Sequence, residues 1–175
     1  MMQSSRLGMS PAQYQKIRAW FEARPAALRV LRALDRGLPW VTAASYGVLL
    51  AVLGARWAAT DQDMQQLARA VLVPAAAFLG CGWLRRVLDC PRPYQQPGFE
   101  ALVPKKTRGR SFPSRHAVSG AVIAMAWLPV CPLWAAVLAA VDAAICAERV
   151  VAGVHTTGDV LAGAALGFAV GCLCL

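Results

Sequence analysis

Uncharged stretches alternate with short basic ones along this chain. Residues 38–55, 70–84, 117–141 and 160–175 contain no charged side chain. Continued to residue 147, the third run outgrows the roughly 20 residues that cross a bilayer as one helix. Pro129 and Pro132 divide it in two, because proline interrupts the helical hydrogen-bond ladder. The pattern therefore predicts five spans. In the last of them Gly163, Gly167 and Gly171 recur every four residues, which lets a neighbouring helix approach closely in lipid. Runs shorter than a bilayer are extended by polar residues that face a shared cavity instead of lipid.

Residues 10–36 read differently. Ser10-Pro11 is a helix start, and Pro25 breaks the segment in two. Trp20, Phe21, Leu28, Leu31 and Leu34 are interleaved with Lys16, Arg18, Arg24, Arg29, Arg32 and Arg36. Such a basic helix suits a membrane surface, or packs on the rest of the protein. The expected fold is an all-α integral membrane bundle of about five transmembrane helices preceded by an amphipathic interfacial helix. Its division is an N-terminal basic segment, 1–37, and a transmembrane domain, 38–175. The connections expected to be long and polar are 57–69 and 85–116. The second holds Pro91, Pro93, Pro97, Pro104 and Pro113, and a loop of that length in a small membrane domain suggests function.

Composition agrees with a membrane protein: 58% of residues are hydrophobic and 15% charged, with a net charge of +9. The positive charge is concentrated in a few stretches, which suit membrane lipids or phosphorylated substrates, and no nucleic-acid partner is expected. No apolar run follows Met1, so a secretory signal is not expected. The cysteines lie mostly within apolar runs and read as small hydrophobes, so neither disulfides nor a metal site is expected, and no cofactor. Residues 1–37 carry seven Lys or Arg and 85–116 carry eight, against Arg56 and Arg69 on the opposite side. The positive-inside rule then puts the N-terminus in the cytoplasm.

Three polar clusters interrupt the pattern, and span counting puts them on one membrane side. Arg85 and Arg92 bracket the first, and arginine's planar fork matches phosphate oxygens. The second is Ser111-Phe112-Pro113-Ser114-Arg115-His116, directly before a span, where free helix N–H groups attract anions. Ser114 is placed to cap that helix, and His116 to donate a proton. In the third cluster, Arg149 to Asp159, His155 and Asp159 are four residues apart and meet on one helical turn. A carboxylate on one ring nitrogen leaves the other free to attack. Lys105, Lys106, Arg108 and Arg110 either steer an anionic headgroup or serve as interfacial charge. Asp142, within an apolar run, is expected to face the bundle and pair with a polar neighbour.

These clusters resemble the signature of the type 2 phosphatidic acid phosphatase (PAP2) superfamily, K-x6-R-P, P-S-G-H and S-R-x5-H-x3-D. Here they read Arg85-x6-Arg92-Pro93, Pro113-Ser114-Arg115-His116 and Glu148-Arg149-x5-His155-x3-Asp159. The resemblance implies a multi-pass protein of a bacterial cell (inner) membrane that hydrolyses a lipid phosphate or polyprenyl diphosphate without metal. It implies His155 as nucleophile, Asp159 as its support and His116 as acid. Arg85, Arg92, Ser114, Arg115 and Arg149 would bind the phosphate. Arg85, Arg115 and Glu148 replace the family's lysine, glycine and serine. A degenerate member acting as a lipid-phosphate-binding or scaffold protein is the alternative. A haloperoxidase-like oxidant is a third reading, against which the small size and membrane character argue.

Overall fold

The computed structural model describes residues 10–61, 63–97, 99–103 and 105–175. The first nine residues of the expected N-terminal segment, and Pro104, lie outside these. The described residues form six helices: α1 (Pro11–Glu22), α2 (Pro25–Thr60), α3 (Met64–Leu88), α4 (Arg115–Trp127), α5 (Pro132–Val151) and α6 (Thr157–Gly171). Short 3-10 turns occupy Pro93–Gln95 and Cys172–Cys174. Among the described residues there is no strand. Three of the described segments are long and apolar enough to cross a membrane: Pro25–Thr60, Met64–Gln95 and Thr157–Cys174.

The helix starts follow local chemistry. Ser10 caps α1, with Gln13 returning the bond to the Ser10 N–H. Pro25 opens α2 and Pro132 opens α5, each in a first turn where the missing N–H costs nothing. The division between Pro129 and Pro132 falls where the sequence predicts. The basic half of the N-terminal segment does not. From Pro25 onward it is continuous with the first span as one helix of 36 residues, which passes through residue 37 without a break. The expected long connection 57–69 is also absent. The helices extend to Thr60 and resume at Met64. Asp61 and Asp63 make the turn in the left-handed region, at φ 57° and 67°, and Arg56 pairs with Asp63 at 2.9 Å.

α4 is the centre of the bundle. Ala117, Val118, Ala121 and Val122 are buried on it, and it packs most extensively on α6 and α5. Leu49, Leu53, Ala77, Cys81 and Leu138 complete the core from α2, α3 and α5. Large apolar side chains also point outward, among them Trp40, Leu72, Leu79, Trp83, Leu161 and Leu173. An outer apolar surface of this kind belongs against lipid. α1 does not lie free on a surface: Tyr14 is buried, stacks on Phe99 at 4.0 Å, and accepts from the Leu102 N–H at 3.1 Å.

The glycine repeat of α6 faces the α4 backbone. A Cβ on Gly163 would lie 2.6 Å from the Ser114 carbonyl oxygen. On Gly167 it would lie 2.5 Å from the Val118 carbonyl oxygen and 2.7 Å from Ala121 Cβ. Gly167→Ala is therefore expected to force the helices apart, at about 1–3 kcal/mol. Gly54, on α2, has open space around it. Gly54→Ala is expected to stabilise, by about 0.5–1 kcal/mol of helix propensity. Thermal unfolding of the two variants in detergent checks this opposition in sign.

Asp142 corrects an expectation. It is buried on α5, but its Oδ1 has no hydrogen-bond partner among the described residues. The space facing it is that left by the missing side chain of Gly120 on α4. The charge-bearing position is thus accommodated by a small residue and not by a polar neighbour.

Candidate active site

The three polar clusters, far apart in sequence, meet at one end of the bundle. Arg85 ends α3, His116 begins α4, Arg149 ends α5, and His155 lies in the turn into α6. They surround a cavity of about 360 Å³, whose wall includes Arg85, Arg92, Arg115, His116, Arg149 and His155. Of the eight residues that the motifs nominate, Ser114 and Asp159 are not on the wall. Both are buried.

His155 and Asp159 meet through a cap and not through helical spacing, since His155 precedes α6. Thr156 is the N-cap of α6, and its Oγ1 accepts from the Asp159 N–H at 3.0 Å. The Asp159 carboxylate reaches back to accept from the Thr156 N–H at 2.9 Å. This capping box fixes Asp159 before any contact with the histidine. Oδ2 of Asp159 then lies 3.4 Å from His155 Nδ1 and accepts from Ser111 Oγ at 2.5 Å. Ser111 Oγ is also 3.3 Å from His155 Nδ1. Burial pushes the His155 pKa below its ordinary 6.5, with cationic Arg92 and Arg85 adding to the shift and Asp159 opposing it. A neutral imidazole with Nδ1 turned to Asp159 has its lone pair on Nε2.

Arg85 and Arg92 are held by backbone carbonyls. Arg85 donates to the Pro113 carbonyl at 2.7 Å, tying the end of α3 to the turn before α4. Arg92 donates from Nε to the Gly109 carbonyl at 3.1 Å. Arg115 is exposed and lies over the Phe78 ring, 4.9 Å from its centroid. Ser114 stands at the N-cap position of α4, but its side chain makes no cap bond. Its backbone N–H donates to the Asp159 carbonyl at 2.9 Å, and its buried Oγ has no partner among the described residues.

Arg149 is where the structure adds most to the motifs. Its guanidinium donates from Nη1 to the carboxylate of Asp35 and from Nη2, at 3.2 Å, to the Asp35 carbonyl. Asp35 also takes Lys105 at 2.7 and 3.0 Å. Glu148 Oε2 lies 3.4 Å from Arg149 Nε. Sequence reasoning missed both Asp35 and Ser111. Asp35 had a signal: it is the sole acidic residue between Glu22 and Asp61, set at the junction of a basic segment and an apolar run. A carboxylate in that place needs a cationic partner to be buried.

The fold is shared with the crystal structure of Aquifex aeolicus LpxE. The two are 22% identical, with 84% of this chain and 93% of that chain covered, at a TM-score of 0.55. A second structure is the first transmembrane PAP2 type phosphatidylglycerolphosphate phosphatase from Bacillus subtilis. It is 20% identical, covers 92% of this chain and 90% of its own, and has a TM-score of 0.48. No curated protein matches the sequence. The chain belongs to the PAP2 superfamily, whose profile matches residues 66–175. That match begins inside α3, so α1, α2 and Asp35 lie outside it.

Proposed function

We propose that this chain is a membrane-embedded, metal-independent phosphatase that hydrolyses a lipid phosphate or polyprenyl diphosphate through a phospho-histidine intermediate. The observation that carries the reading is a basic cavity walled by both histidines, with His155 backed by a capped Asp159. In the first step Nε2 of His155 attacks the terminal phosphorus, its bond to the leaving oxygen breaks (the lipid oxygen of a monoester, the bridging oxygen of a diphosphate), and His116 gives that oxygen its proton. In the second, water attacks the phosphoryl group, His116 takes the water's proton, and the N–P bond breaks. Arg85, Arg92, Arg115 and Arg149 would spread the transferred negative charge, which is how phosphoryl transfer is mainly catalysed. Ser114, buried off the cavity wall, would act by joining the start of α4 to Asp159 through its backbone N–H. α4 and α5 complete a multi-pass, five-span arrangement in a bacterial cell membrane, with the site on the cytoplasmic side.

The engagement of Arg149 by Asp35 favours a second reading, a binding protein whose phosphate arginine is already occupied. One assay separates the two. Purified protein is expected to release phosphate from lipid phosphates in mixed micelles, undiminished by chelator. Binding of those lipids without turnover of any would leave the second reading standing and sink the first.

A further inference from the structure

A second cavity, of about 260 Å³, adjoins the first and shares Arg85, Arg92 and Arg115 with it. Its remaining charged lining is Arg86, Arg108 and Arg110, and no carboxylate lines it. The contrast with the histidine cavity, where Asp35 offsets two cations, is direct. Among the described residues, Arg86, Arg108 and Arg110 have no ion pair.

Charges scattered on a flexible loop would suffice to attract a membrane surface. This loop is anchored instead. Gln95 Oε1 accepts from the Gly109 N–H at 2.8 Å and from the Arg92 N–H at 2.9 Å. Tyr94 donates to the Thr107 carbonyl, and Arg92 to that of Gly109. Gly109 and Arg110 are both left-handed, at φ 60° and 53°, and the Arg110 N–H donates to Asp89 Oδ1 at 3.2 Å. A Cβ on Gly109 would run into the Asp89 carboxylate, so a larger residue here would displace Asp89 from the turn. The turn holds the backbone that carries Arg108 and Arg110 on one cavity wall with Arg92, and like charges gathered in one concave site are stabilised by a bound anion.

We propose that Arg86, Arg108 and Arg110 form a second anion subsite that holds a further phosphoryl group of the same substrate while the histidine cavity holds the one transferred. This rests on the phosphatase reading and selects, within it, substrates with two phosphoryl groups.

The test measures binding of methylenebisphosphonate and of inorganic phosphate to the full chain in detergent, by calorimetry. The wild type is expected to favour the bisphosphonate. R108Q/R110Q is expected to lose about tenfold in bisphosphonate affinity, the worth of one charge-assisted bond, and to keep its phosphate affinity. Equal losses for both probes, no loss, or equal wild-type affinities would overturn the subsite. Retained phosphate binding also shows that the variant is folded. A bystander headgroup is the other source of the same anion. If R108Q/R110Q slows turnover of a lipid monophosphate in anionic vesicles and not in neutral ones, the arginines read the bilayer and the proposal fails. Bisphosphonate selectivity in a chain that turns over no lipid phosphate would sink the phosphatase reading and leave the subsite intact.

Discussion

Replacing His155 with alanine is expected to abolish phosphate release, by on the order of 10⁴-fold or more, while lipid-phosphate binding persists. The size follows from the covalent mechanism proposed above: without Nε2 its intermediate cannot form, and electrostatic help to direct attack by water is all that remains. Asp159→Asn is expected to fall nearly as far, about 10²–10⁴-fold. An amide in place of the carboxylate leaves His155 free to present the wrong tautomer. The Thr156 cap and Ser111 would still hold the asparagine near the ring, so geometry and charge are separated. Stopping the wild-type reaction in base and recovering labelled phosphate on the protein, labile in acid and absent from His155→Ala, checks the intermediate. Turnover by His155→Ala near the wild-type rate would assign the chemistry elsewhere. The same residue sets a pH dependence. The proposed attack needs neutral His155, and burial moves its protonation below 6.5, so the acid limb of kcat from this group is expected below pH 6.5.

The motifs were readable because their spacing is local. Arg149, His155 and Asp159 lie within eleven residues, and one helix-to-helix turn brings them together. The α4–α5 division was written in Pro129 and Pro132, and a close helix contact in the glycine repeat, though not that its partner is α4. What escaped the sequence depends on distant partners. Asp35 is 114 residues from Arg149, and nothing in the periodicity of α2 points one residue at a site built by four other helices. The 61–63 turn was hidden because polar residues at the ends of α2 and α3 look like loop when scored for lipid burial. Ser111 sat in a recognised run, but its bond to Asp159 depends on how the loop returns across α6.

Asp35→Asn is expected to have the largest effect of any change outside the motifs. Asp35 and Arg149 have side chains 6% and 5% exposed, and their ion pair joins the start of α2 to the end of α5. Losing one partner of a buried pair costs about 3–5 kcal/mol, chiefly because the other charge stays buried alone. Glu148 is close enough to take up part of that charge, which places the expectation at the lower end of the range. Lys105, 30% exposed, can turn to water, so Lys105→Met is expected to cost about 1 kcal/mol or less. Stability alone would not show that Asp35 serves the site, and a second variant separates the roles. Asp35→Leu with Arg149→Met replaces the pair by apolar groups and is expected to recover most of the thermal stability. It should not recover activity, because the cavity has then lost one of the arginines proposed to bind phosphate. For Asp35→Asn itself, KM for a lipid phosphate is expected to rise about tenfold, as a released Arg149 must be ordered again by each substrate. A fall in KM would mean that Asp35 competes with phosphate for Arg149, and that α2 holds the empty site closed instead of keeping it ready.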